Sequence, residues 1–224
     1  MHDVETLRED LAIARALAEE GRRAPLSGGV HYVIFGLTMF GCLIFQWSVV
    51  AGVVAISPWA IAIVWFGGMA AAAALTGIAA RRSTEAPGAF AVGNAVSNAA
   101  WRASGRFLGL FALALFAAAF AAPDWMFGAG AGDGAGRLIA AAFSIFLPVS
   151  FGVYSVAMAA SAAAAKSEML GRFSFLALLV MAVTIALIGR PAQMLVAAAG
   201  ILLVSVLPGL LLIREARNQR NDER

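Results

Sequence analysis

Two short polar stripes interrupt long apolar runs, and their residues are the ones best placed to hold a ligand. At about 100° per helical residue, His31, Thr38, Cys42 and Gln46 fall within about 80° of arc, and Ser150, Tyr154 and Ser161 within about 40°. Imidazole, amide and hydroxyl groups on one side of an apolar helix can face a path or pocket for a neutral ligand. They can equally hydrogen-bond to neighbouring helices, each bond contributing about 1 kcal/mol or less. Both readings stand for His31, Thr38, Gln46, Ser150 and Tyr154 as ligand or pore candidates. Pro148 lies beside the second stripe; having no amide hydrogen, it cannot donate the helical bond to the carbonyl of Ser144, and it bends its helix.

Other chemistry is weaker. Gly130-Ala131-Gly132-Asp133 matches the GxGD string of intramembrane aspartyl proteases, whose reaction needs two carboxylates sharing a proton inside the membrane. Asp133 instead belongs to a Gly-rich connection whose other carboxylate is Asp124, and neither Tyr32 nor Tyr154 is followed by Asp. The same run, GAGAGDGAG, completes no GxGxxG phosphate fingerprint and reads as a flexible linker. The histidines are His2 and His31 alone, with no HExxH, so neither a zinc site nor a bis-histidine haem is expected. A single cysteine, Cys42, supports no disulfide within the chain. A serine nucleophile would have only His31 as base, at no recognisable spacing. The expectation is a non-enzyme with no metal, no cofactor and no nucleic-acid partner.

The elements that carry these residues follow from where charge is missing. Of 224 residues 62% are apolar and 13% charged, far from the composition of a soluble domain. No charged residue occurs from Ala24 to Ala80, Phe107 to Pro123, Leu138 to Ala165 or Ala192 to Ile213. A bilayer core takes roughly 20 apolar residues to cross as a helix. Six spans are read, at 30–50, 59–80, 107–122, 138–165, 173–188 and 194–213, within a transmembrane domain of residues 25–213. The expected fold is an all-α membrane protein of six helices arranged as three hairpins. The six spans hold no Asp, Glu, Lys or Arg away from their ends, which argues against proton-coupled antiport, voltage sensing and carboxylate relays.

Basic residues set the orientation, because Lys and Arg collect on the cytoplasmic side of short loops. With both termini inside, fourteen lie in cytoplasmic segments and only Arg137 and Arg190 outside. Trp47, Trp59 and Trp125 at the outer ends match an aromatic belt. Arg outnumbers Lys fifteen to one amid abundant Ala and Gly, a composition that points to a bacterial inner membrane.

Three cytoplasmic segments remain. Residues 1–24 read as an amphipathic helix, with Thr6 and Glu9 in capping-box spacing and an apolar stripe through Val4, Leu7, Leu11, Ala14 and Ala18, widened by Ile13 and Leu17. Its first 23 residues hold four Arg against six acidic residues, a side-chain charge of −2, which disfavours anionic lipid and favours protein. Leu7, Leu11 and Leu17 are the partner-docking candidates. Residues 88–106 form a second amphipathic segment, lying along the inner surface or extending the third span. Residues 214–224 form a basic tail.

Two function classes fit. The first is a non-catalytic accessory subunit or membrane-embedded regulator that meets a protein partner at the cytoplasmic face. The second is a six-span permease subunit moving a neutral or apolar substrate with a separate ATPase. In layout the chain resembles the membrane subunits of ABC-type exporters: an amphipathic N-terminal helix, six spans with both ends inside, and a cytoplasmic helical element between spans two and three. It departs from them between the fifth and sixth spans, where they carry re-entrant structure and only Gly189 to Gln193 is present here. The layout also resembles the substrate-capturing six-span subunits of vitamin importers, with Trp125 to Gly136 as an outer lid.

Overall fold

Charge-free runs become helices because a backbone in hydrocarbon must satisfy its N–H and C=O groups internally. The computed structural model describes residues 8–13, 28–57, 59–83, 92–121 and 134–222, and all regular structure among them is helical. In order these are α1 (Gly29–Val50), α2 (Trp59–Ser83), α3 (Val92–Ala121), α4 (Gly134–Ala165), α5 (Glu168–Ala186), α6 (Ala192–Ile201), a π-helical turn (Leu202–Val206) and α7 (Leu207–Asp222). The last three run on as one rod. Five stretches among the described residues are long and apolar enough to cross a bilayer: Gly29–Val50, Ala60–Ala80, Ser144–Ala165, Glu168–Ala186 and Ala192–Asn218. Ile63, Leu110, Val156 and Phe175, each more than 60% exposed, form an outer surface suited to lipid.

Helix ends depart from the charge-based boundaries for local reasons. Residues 92–106 of the second amphipathic segment and residues 107–121 of the expected third span form one continuous helix, α3. α5 starts at Glu168, because the Ser167 side chain caps the amide of Leu170 and the chain reverses in two residues. That reversal is a Schellman closure, Ser167 N–H to Ala162 O at 2.9 Å, with Lys166 at φ +51 where glycine is usual. α1 closes in the same way through Gly52, at φ +74, with Val53 N–H on Ser48 O. The tail from Arg214 continues α7 as helix through Asp222. Arg8–Ile13 is helical, with Leu11 and Ile13 exposed; Leu7, Leu17 and the Gly-rich connection carrying Asp124 and Asp133 lie outside the described residues.

α2 packs on α1, α1 on the α6–α7 rod, the rod on α5, α5 on α4, and α4 on α3. Small residues permit the closest approaches. A Cβ on Gly29 would lie 2.8 Å from Gly209 O, one on Gly209 2.8 Å from Gly29 O, and one on Gly36 2.7 Å from Val206 Cγ2. The small-residue run of α2 divides by face: Gly68 and buried Ala72 pack inward, whereas a Cβ on Gly67 or Gly77 would meet nothing within 4 Å. Leu43, Met158, Leu170, Ala197 and Val204 are fully buried where α1, α4, α5 and the rod converge.

Candidate functional site

The polar groups of the bundle divide into those that join helices and those that border a cavity. The strongest join is a three-helix relay. Gly36 lets the π turn approach α1 so closely that Ser205 Oγ reaches the carbonyl of Tyr32, to which it donates at 2.7 Å. Its hydroxyl hydrogen is thereby committed, so the 2.6 Å contact with Tyr154 is a bond donated by the tyrosine. Tyr154, Ser205 and Tyr32 thus connect α4, the rod and α1 in one direction.

Around this relay three rings meet edge to face: Tyr32 with Trp101 at 4.9 Å between centroids, Trp101 with Tyr154 at 4.5 Å, and Tyr32 with Tyr154 at 6.2 Å. Edge-to-face pairs of this kind contribute roughly 0.5–1.5 kcal/mol beyond area burial. Ser97 and Ser161 hydrogen-bond at 2.9 Å and hold α3 to α4 just below.

Above the ring cluster lies a cavity of about 540 Å³ bordered by α1, α2, α3 and α4. This falls within the roughly 300–1,000 Å³ of small-molecule sites. His31, Tyr32, Trp101 and Tyr154 lie on its wall together with Ser104 and Ser150, and the remainder is apolar, including Met39, Phe66, Met69, Leu108 and Phe146. Among the described residues no Asp, Glu, Lys or Arg borders it. Gly105 and Gly109 of α3 also border it, and a Cβ on either would meet nothing within 4 Å. α2 and α3 do not pack closely on one another, so the side between them is the open one.

The sequence candidates separate accordingly. His31, Ser150 and Tyr154 border the cavity, and Thr38 and Gln46 do not. Thr38 bonds back to Ile34 O within its own helix. Gln46, fully buried, accepts a 2.9 Å bond from the indole N–H of Trp65 and so holds α1 to α2. Ser150 bonds to Phe146 O in its own helix, whereas its stripe partners Tyr154 and Ser161 reach across helices, to Ser205 and Ser97. The imidazole of His31 faces the backbone of Thr76 in α2, with Nδ1 buried and unpartnered; Trp101 Nε1 is likewise buried without a hydrogen-bond partner. Outside the two polar stripes lie Ser205, Gln193, Tyr32 and Trp101. A lone hydroxyl or amide in an otherwise apolar run is the signal they carry.

Gln193 serves the carbonyl that Pro148 cannot. Its Nε2 donates to Ser144 O at 2.7 Å and to Thr184 O at 3.0 Å, tying the proline-bearing turn of α4 and the end of α5 to the start of α6. Among the described residues, no three of His, Cys, Asp and Glu come together in a metal-binding group. No known protein family, curated protein or solved structure matches the chain.

Proposed function

We propose that this is a six-span inner-membrane protein with both termini cytoplasmic, acting as a non-catalytic accessory subunit or membrane-embedded regulator. Its N-terminal helix docks a protein partner. The observation that carries this reading is how the polar groups are used. Tyr154, Ser205, Gln193, Gln46, Ser97 and Ser161 are engaged in joining helices, and the cavity, which Tyr154 alone of these borders, has among the described residues no Asp, Glu, Lys or Arg on its wall to bind or transfer a proton. Such a bundle is suited to holding or sensing something neutral. Leu11, more than half exposed on the helical segment Arg8–Ile13, supplies part of the apolar docking face.

The test is extraction in mild detergent followed by mass measurement of the intact complex. Co-purification of a regulatory or enzymatic partner that is lost on deletion of residues 1–24, with insertion retained, supports the reading. A stoichiometric ATPase sinks it and favours the alternative, a permease subunit for a neutral or apolar substrate. The feature that favours this alternative is the cavity, which reaches four helices and opens sideways. The short turn between α5 and α6, held by Arg190 N–H on Leu187 O, leaves no re-entrant element of the exporter kind.

A further inference from the structure

We propose that the cavity between α2 and α3 binds one neutral lipid-like molecule: an apolar chain carrying an uncharged, oxygen-bearing end. The inference rests on the reading of α1–α4 as bilayer-spanning, and it is independent of which partner the N-terminal helix meets.

Four observations specify the occupant. The open side lies between two helices that present apolar surface outward, so the molecule enters from the hydrocarbon. The wall bears no charge, and moving an ionised head group into such surroundings without a partner is costly. Most of the wall is hydrocarbon, and two of its hydroxyls, those of Ser150 and Tyr154, are committed to Phe146 O and Ser205 Oγ. From Trp101 to Leu113 the site follows α3 for twelve residues, about 18 Å at 1.5 Å per residue, the length of an alkyl or isoprenoid chain.

The polar end of the occupant is placed by the end of the site that the ring cluster of Tyr32, Trp101 and Tyr154 borders. There His31 Nδ1 and Trp101 Nε1 are buried without hydrogen-bond partners. His31 is the third residue of α1, and Trp101 precedes the apolar part of α3, so this end stands at the level of lipid head groups. An oxygen of the ligand at that level gives the indole N–H an acceptor, while the chain extends toward Phe66 and Leu113.

The full chain, purified in detergent, is incubated with decylubiquinone, with 1,2-dioleoylglycerol or with dioleoylphosphatidylglycerol, and bound mass is counted by native mass spectrometry. One neutral molecule per chain is expected, with at least tenfold lower occupancy by the charged phospholipid. Which neutral probe binds distinguishes a quinone-type from a glycerolipid source. Gly109→Phe, and independently Gly105→Leu, should each lower the neutral adduct at least tenfold with the unfolding temperature retained, because both positions face open space. Trp101→Phe should weaken it severalfold. Absence of an adduct with either neutral probe, equal occupancy by phosphatidylglycerol, or an adduct that persists in both filled variants overturns the proposal. Full binding by Trp101→Phe overturns the placement of the polar end. Failure of the chain to partition into membranes would instead strike the spanning reading on which the inference rests.

Discussion

The side-chain amide of Gln193 donates at 2.7 Å to the backbone carbonyl of Ser144, the position that the ring of Pro148 cannot serve. A residue at the start of one helix thus supplies the donor that a proline withholds from another. In lipid no water stands ready to do this.

Replacing Gln193 by Leu should therefore destabilise the bundle by about 1–3 kcal/mol, the cost of withdrawing a donor from buried polar groups. In a Pro148→Ala background residue 148 regains its N–H, so the same replacement should cost clearly less. A double-mutant cycle on unfolding in detergent measures the difference. Equal costs in the two backgrounds would separate Gln193 from the kink.

The Tyr154–Ser205–Tyr32 relay makes an asymmetric prediction. Ser205→Ala leaves the hydroxyl of Tyr154, in a buried site, without its acceptor, whereas Tyr154→Phe leaves Ser205 still donating to Tyr32 O. The serine variant should be the less stable by about 1 kcal/mol, and Tyr154→Phe should largely restore it when the two are combined. Thermal unfolding of the three variants tests this order.

Lys166 occupies the left-handed region at φ +51. Lys166→Gly should stabilise the α4–α5 turn by about 1 kcal/mol, since a β-carbon is disfavoured there. The gain is visible as a raised unfolding temperature, and no gain would mean that the unfolded-state freedom of glycine offsets it.

Two glycines of similar sequence setting should respond oppositely. Gly209→Ala drives a methyl group against Gly29 O at 2.8 Å, backbone against backbone, and should destabilise by about 1–3 kcal/mol as overpacking does. Gly67→Ala meets nothing within 4 Å and should be neutral or stabilising through helix propensity. Membrane yield and unfolding temperature of both variants decide it.

How far the sequence announces all this depends on the range of each effect. Helices at Gly29–Val50 and Trp59–Ser83 are legible because absence of charge over twenty residues is a local property of the chain. The helical proline Pro148 and the Ser144 carbonyl it leaves without a donor are legible too, being separated by four residues. Their partner Gln193 is not, because it arrives from 49 residues away. Polar periodicity placed Ser150 and Tyr154 on one face but could not tell a hydroxyl turned back on its own helix from one that crosses to Ser205. The cavity is the least legible feature. It exists because Gly105 and Gly109 lack side chains on the face that α3 turns toward α2, and small residues read identically whether they pack tightly or border open space.

The π turn at Leu202–Val206 holds one residue more than an α-turn, which sets back the phase of everything after it by about 100° relative to an unbroken α-helix. Before it, Gly200 abuts Val180 of α5 and Phe151 of α4; after it, Gly209 abuts Gly29 and Tyr32 of α1. A single rod therefore offers differently phased faces to its two sets of neighbours. Regularising the turn to α-helix without removing a residue would swing Gly209 about 100° off the α1 seam, whereas deleting one residue within it closes the helix and leaves Gly209 in place, so two changes that barely touch composition and hydropathy have opposite results for the seam.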